Sequence, residues 1–156
     1  MPLEEIPYYY GSAENKLNSK GQVAVPARFR SCLPEADQNR NYVLVLGHEN
    51  CLFMYTHRQF GRIKDNVRRL AEEGGERDFW RAFMARAVPV DLDPQGRFVL
   101  PPELMRAAGI KGPNILFIGM DDRMELWDPS VYASRPGDGA AFVETLRRAG
   151  DRIFGI

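Results

Sequence analysis

The sequence is poor in the residues that most metal and nucleophilic chemistries need. Its 156 residues include two cysteines and two histidines, with no C-x-x-C spacing and no paired histidines, so neither a disulfide framework nor a zinc site is expected. Cys32 and Cys51 read as reduced, structural thiols. An excess of one charge is also lacking, since 21 Lys+Arg balance 21 Asp+Glu. That removes a domain-wide positive field as an argument for nucleic-acid binding and leaves only local patches. No apolar run approaches the ~20 residues of a membrane span. Met1-Pro2-Leu3-Glu4-Glu5 is acidic where a signal peptide is basic, and no apolar h-region follows it. We therefore expect an intracellular chain with no membrane partner. What the chain does have is 44% apolar and 11% aromatic residues, enough to bury a core, which excludes wholesale disorder. Its length bounds it to one or two small domains.

Catalytic constellations are equally thin. His48 and His57 bracket Cys51, but Cys51 opens the apolar run Cys51-Leu52-Phe53-Met54 and reads as packing rather than as a nucleophile beside its base. Asp121-Asp122 fits a tight hairpin turn better than a metal pair, and Asp91 with Asp93 carries no further ligand pattern. Gly137-Asp138-Gly139 lacks the flanking strand and lysine of a phosphate loop. No enzyme activity, cofactor, metal or small-molecule substrate is expected.

The chain is organised by an internal repeat. Leu17-Asn18-Ser19-Lys20-Gly21-Gln22-Val23-Ala24-Val25-Pro26 aligns without gaps on Leu92-Asp93-Pro94-Gln95-Gly96-Arg97-Phe98-Val99-Leu100-Pro101, at an offset of 75. A second block, Val43 to Gly47 and Leu52 to Tyr55, aligns on Ile115 to Gly119 and Met124 to Trp127 at an offset of 72. The difference fits a longer loop around Pro34 to Asn41 in the first copy. Each half reads as strand, Gly turn, short strand, Pro, short helix, loop and hairpin. The glycine supplies positive φ, and the proline starts a helical turn where its missing N–H is no loss. Two such short β units cannot close a core alone and should pack on each other as one pseudo-twofold module.

Helices are expected between and after the halves. Thr56 is a candidate N-cap for a helix whose stripe is Phe60, Ile63, Val67 and Leu70. Gly74-Gly75 breaks the pattern, and Glu76 to Ala87 resumes it with Phe79, Trp80, Phe83 and Met84. A helix after Asp128-Pro129 is interrupted by Arg135 to Gly139, and Ala140 to Phe154 reads as a terminal helix with Phe142, Leu146 and Ile153 inward. The divisions are 1–56, a first β unit with an N-terminal extension; 57–87, a helical insert; 88–128, a second β unit; and 129–156, a helical tail.

Two charge clusters stand out. Lys16 to Arg30 contains Lys16, Lys20, Arg28 and Arg30 and no acid. A turn presenting Lys20 and Gln22, backed by Arg28 and Arg30, suits phosphates and a groove; a solvated helix start is the alternative. Arg58, Arg62, Lys64, Arg68 and Arg69 form a solvated helix face or a subunit contact. Tyr8-Tyr9-Tyr10 suits edge packing or an interface better than base stacking.

The two D-x-x-G-R-like turns, each followed by apolar residues and a Pro, the helix after Tyr55 and Met124-Glu125-Leu126-Trp127-Asp128 together resemble the MraZ family, over roughly Tyr8 to Tyr132. The resemblance implies an α+β fold of tandem AbrB-like swapped-hairpin β units. It also implies a cytoplasmic, nucleoid-associated regulator of the division and cell wall gene cluster, whose oligomeric ring binds short repeated promoter boxes in double-stranded DNA. Asp93-x-x-Gly96-Arg97 matches the family motif best. There the carboxylate is expected to hold the guanidinium in a fixed fork, and arginine suits bidentate guanine readout or a phosphate clamp. At the matching positions of the first copy stand Asn18 and Gln22, as if an amide pair had replaced a salt bridge, and glutamine reads adenine better than guanine. Met105 stands where the family carries Arg, with Arg106 one position on. The expected DNA contacts are therefore Lys20, Gln22, Arg28, Arg30 and Arg97, with Asn18 and Asp93 orienting. The competing reading is a ring scaffold that has lost DNA recognition.

Overall fold

Gly21 and Gly96 lie at positive φ, 74° and 79°, and each opens a three-residue strand, β2 (Gln22–Ala24) or β6 (Arg97–Val99). Separated from each strand by one residue, a proline, Pro26 or Pro101, stands at the N-cap of a short helix, α1 (Ala27–Arg30) or α4 (Pro102–Ala107), where its carbonyl accepts the first helical N–H and its missing N–H is no loss. In the computed structural model, which describes residues 9–32, 41–137 and 139–156, the other repeated elements also match. The first half supplies β1 (Ser12–Lys16), β3 (Asn41–Leu46) and β4 (Leu52–Thr56). The second supplies β5 (Val88–Asp91), β7 (Asn114–Gly119) and β8 (Met124–Trp127). Between them lie α2 (His57–Gly74) and α3 (Arg77–Arg86), and after them α5 (Pro129–Ala133) and α6 (Ala140–Phe154). Tyr8, most of the loop expected from Pro34 to Asn41, and Asp138 lie outside the described residues.

The fold is α+β, with a six-stranded antiparallel sheet in the order β1-β7-β8-β4-β3-β5 and a separate two-stranded ribbon, β2-β6. Exchanging first-half strands for their second-half counterparts reverses this order and leaves it unchanged, so the topology itself carries a pseudo-twofold between β4 and β8. The halves do more than pack on each other. The first strand of each is hydrogen-bonded to the third strand of the other, β1 to β7 and β5 to β3, so neither half completes a sheet by itself.

Side-chain alternation assigns the two faces of the sheet. Leu44, Leu52, Met54, Ile115, Phe117, Met124 and Leu126 point to one face, where Val23 and Phe98 of the ribbon, Phe29 of α1 and Leu104 of α4 complete a buried core. Val43, Val45, Phe53, Tyr55 and Trp127 point to the other, against Phe60, Ile63, Phe83 and Val131 of the helices. The central strands β4 and β8 are buried along their whole length, as expected of strands covered on both sides. The ribbon is thus the outermost β layer on one side, with α2 and α3 on the opposite side.

Thr56 caps α2 as expected, its Oγ1 accepting the Gln59 N–H at 3.2 Å, and Gly75 ends the helix in the left-handed region at φ 72°. Two expectations are corrected. Leu70 is 50% exposed, and the neighbouring Ala71 is buried in its place, because helix and sheet meet over the first turns of α2. In α6, Phe142 and Ile153 are each 56% exposed rather than inward. Together with the half-buried Leu146 they line a shallow cleft with Pro136 and Gly137. None of the three joins either core cluster of the described residues, because both faces of the sheet are already covered.

Candidate nucleic-acid interface

In the ribbon, Gln22 stands opposite Val99 and Ala24 opposite Arg97. Val23 and Phe98 point into the core, so the two-residue period turns the other four side chains outward. The register continues into both turns. The Val25 N–H donates to the Gly96 carbonyl at 2.9 Å, and the Leu100 N–H to the Gly21 carbonyl at 3.0 Å. The two glycine turns therefore sit at opposite ends of one outward-facing ribbon.

The turn of the second half is held by a carboxylate. Asp93 Oδ1 accepts the backbone N–H of Gln95 at 2.9 Å and of Arg97 at 2.8 Å, while Oδ2 accepts the Arg97 Nε–H at 2.8 Å. The Arg97 Nη2 donates to Gln95 Oε1. This corrects the expected fork: one carboxylate oxygen closes the turn, so a single oxygen remains for the guanidinium. In the first half, Asn18 Oδ1 accepts the N–H of Lys20 and of Gln22, both at 2.9 Å, and its Nδ2–H donates to Gln22 Oε1 at 3.0 Å. The amide pair thus reproduces the architecture of the salt bridge without charge.

The two turns should separate on acidification. The Asp93 carboxyl is held below the usual carboxylate range, chiefly by the Arg97 backbone N–H; desolvation opposes this, and the Arg97 side chain and the Gln95 N–H add to the lowering. A depressed folded pKa contributes stability that is present above the unfolded value of about 3.9 and lost as pH falls through the folded one. Asn18 does not titrate. NMR from about pH 5 to about pH 2 is therefore expected to move the Gly96 amide resonance and leave that of Gly21 nearly in place.

The basic side chains distribute differently from the expected backing of the first turn. Arg30 crosses to the second turn, where its guanidinium covers Gly96 so closely that a Cβ there would stand 2.6 Å from Nη1. Its buried Nε has no hydrogen-bond partner. Arg28 lies aside, its Nη1 donating to the Ser12 carbonyl at 3.0 Å, beside Tyr10, Ser31 and Cys32. Lys20 is exposed at the first turn. One end of the ribbon thus carries Lys20 and Gln22, and the other Arg30 and Arg97. The sequence reading does not single out Ala24 and Val99, describing the residues between Gly and Pro only as apolar. Strand pairing alone exposes the side that Val99 takes, since Val99, 56% exposed, follows the buried Phe98 within one apolar run.

The remaining candidates fall elsewhere. The basic residues of α2 lie on the opposite side of the sheet, where Arg68 pairs with Asp65 at 3.0 Å, Arg69 donates to Asn66 at 2.9 Å and Arg62 to Gln59 at 3.3 Å. Tyr9 is buried edge-on against Phe29, and Tyr10 is 71% exposed. Burial pushes the Cys51 thiol up to about 12, helped by Glu125 and Glu49, so it stays protonated at neutral pH. No described helix is long and apolar enough to cross a membrane.

Comparison with known proteins places the chain among relatives of one name. A family model described as "MraZ protein, putative antitoxin-like" matches residues 83–134. A protein of Acetivibrio thermocellus named "Transcriptional regulator MraZ" is 32% identical over 139 residues, covering 88% of this chain and 93% of the relative. Proteins of the same name from Caldanaerobacter subterraneus and Cytophaga hutchinsonii are 36% and 35% identical, covering 78% and 80% of this chain and 82% of each relative.

Proposed function

Because this chain belongs to the MraZ family of transcriptional regulators, we propose that it acts by binding double-stranded DNA through the outer face of the β2–β6 ribbon. The observation that carries this reading is the ribbon itself: an exposed antiparallel pair presenting Gln22 and Arg97, each oriented by a side chain of its own turn. A two-stranded ribbon has the width to enter a major groove. Arg97 and Gln22 face bases, Lys20, Arg28 and Arg30 take phosphates, and Asn18 and Asp93 orient the readers. The exchange of first strands between halves supports reading residues 1–56 and 88–128 as two AbrB-like swapped-hairpin units, with 57–87 as an insert and 129–156 as a tail. We place the protein in the cytoplasm, on the nucleoid, at repeated promoter boxes of the division and cell wall gene cluster. It works there as a binding protein, not an enzyme.

Fluorescence anisotropy on a duplex from upstream of its own gene, against a shuffled duplex at several salt concentrations, tests this. Preferred binding to the native duplex that falls steeply with salt is expected. Equal, weak binding to both would overturn the reading and favour a scaffold without DNA recognition.

Assembly into a homo-oligomeric ring is part of the proposal, because several weak patches on one rigid body multiply through effective concentration. Its support is the uncovered apolar surface of α6, Phe142, Val143, Ile153 and Phe154, and that of Phe79 on α3. Light scattering of the Phe142→Glu/Ile153→Glu double variant is expected to give smaller particles than the parent at unchanged secondary structure. A parent that already scatters as a single chain would remove the ring.

A further inference from the structure

We infer that the two ends of the ribbon read different base pairs: Gln22 and Val99 together take an A·T pair, with Val99 against the thymine methyl, while Arg97 beside Ala24 takes a guanine. The site would then read a short box of fixed polarity. This rests on the ribbon being the DNA-binding face.

The argument begins in the first turn. Asn18 Oδ1 is committed to two backbone N–H groups, so the other end of that amide is its donor, and the atom it meets at 3.0 Å must be the acceptor of Gln22. The orientation of the Gln22 amide is therefore set by the backbone of the turn. Its two N–H donors are left for a ligand, and its Oε1 keeps one lone pair. A donor beside an acceptor complements adenine, which offers N7 as acceptor and N6–H as donor. Against guanine, Oε1 would face O6, acceptor to acceptor.

Val99 supplies the second half. It stands directly across the ribbon from Gln22, outward and 56% exposed, at the ~4.5–5.5 Å side-chain spacing of cross-strand neighbours. In the major groove the thymine methyl lies beside the adenine edge of its own pair, and no other pair offers an apolar group there. The pseudo-twofold that carries Gln22 onto Arg97 also carries Ala24 onto Val99, so a symmetric ribbon would present like ends. This one pairs Gln with Val at one end and Arg with Ala at the other. The readers are diagonal neighbours about 7–8 Å apart, close to two base pairs at about 3.4 Å each.

The experiment uses the full chain. Duplexes are selected from a randomised pool, and in the selected sequence each thymidine is replaced singly by deoxyuridine, which deletes only the methyl. One position is expected to lose about fourfold in affinity, the worth of one buried methyl group, and in Val99→Ala that sensitivity disappears. Changing the same pair to G·C is expected to cost about tenfold or more, and Gln22→Arg to reverse the preference. Specific binding in which no thymine responds, or a response that persists in Val99→Ala, overturns the inference and leaves the DNA-binding face standing. A pool that yields no preferred sequence overturns both.

Discussion

Replacing Arg97 with alanine is expected to weaken DNA binding by about 1–3 kcal/mol, roughly five- to 150-fold, without unfolding the protein. The fold survives because the bonds that shape the turn are made by the backbone. Asp93 Oδ1 still accepts the N–H of residue 97, and the Asp93 N–H still donates to its carbonyl. What is lost is the guanidinium, and the Asp93 Oδ2 that it engaged is left as an uncompensated negative charge facing the DNA. Arg97→Lys separates the two roles of the side chain, since lysine keeps the charge and loses the planar fork. If Arg97 reads a base, the lysine variant keeps the salt dependence and loses discrimination at one position. If it clamps a phosphate, alanine weakens all sequences alike and lowers the salt slope by about one. Anisotropy across salt distinguishes these, and unchanged affinity in a well-folded alanine variant would remove Arg97 from the site.

The largest effect on stability is expected from Phe117→Ala. Phe117 is fully buried in β7, opposite Ala13 of β1 and Leu126 of β8, on the face of the sheet that the ribbon covers. Truncating a buried phenylalanine costs about 3–5 kcal/mol, from lost transfer energy and the cavity left behind. That is a large part of the roughly 5–15 kcal/mol available to a domain. Urea denaturation is expected to show a much lower midpoint with an unchanged slope. A loss under about 1 kcal/mol would mean that the ribbon settles into the vacated space. Because β7 joins β1 of the first half to β8 of the second, unfolding should remain a single transition rather than two.

Much of the architecture is visible in local residues. The offset between Gly21 and Gly96 locates both turns and both short strands, since a glycine at positive φ and a proline five positions on leave the backbone little choice. The amide pair in the first turn is legible for the same reason, as Asn18 and Gln22 are four residues apart in one turn. The Thr56 cap and the Gly75 stop are local as well, each made by side chain or backbone within a few residues.

The rest depends on partners distant in the chain. Nothing near β1 says that it pairs with β7, about a hundred residues on; only the assembled sheet decides that the halves exchange strands. The side of Val99 could not be read from composition in a segment where Phe98, Val99 and Leu100 are all apolar; pairing with β2 decides it. Arg30 is close in sequence to the first turn and reaches the second, because β2 runs away from its own turn and ends beside the other, where the Val25 N–H donates to the Gly96 carbonyl. The α6 stripe has the period of a core helix, yet both faces of the sheet are taken by the ribbon, α2, α3 and α5. Sequence alone thus determined the repeated turns, the helices and the residue types presented at each turn, through dihedral preferences and hydrogen bonds of short range. Tertiary structure decided which turn each arginine serves, which apolar residues stay in solvent and how two incomplete halves become one sheet, because those outcomes depend on burial and strand pairing across the whole chain.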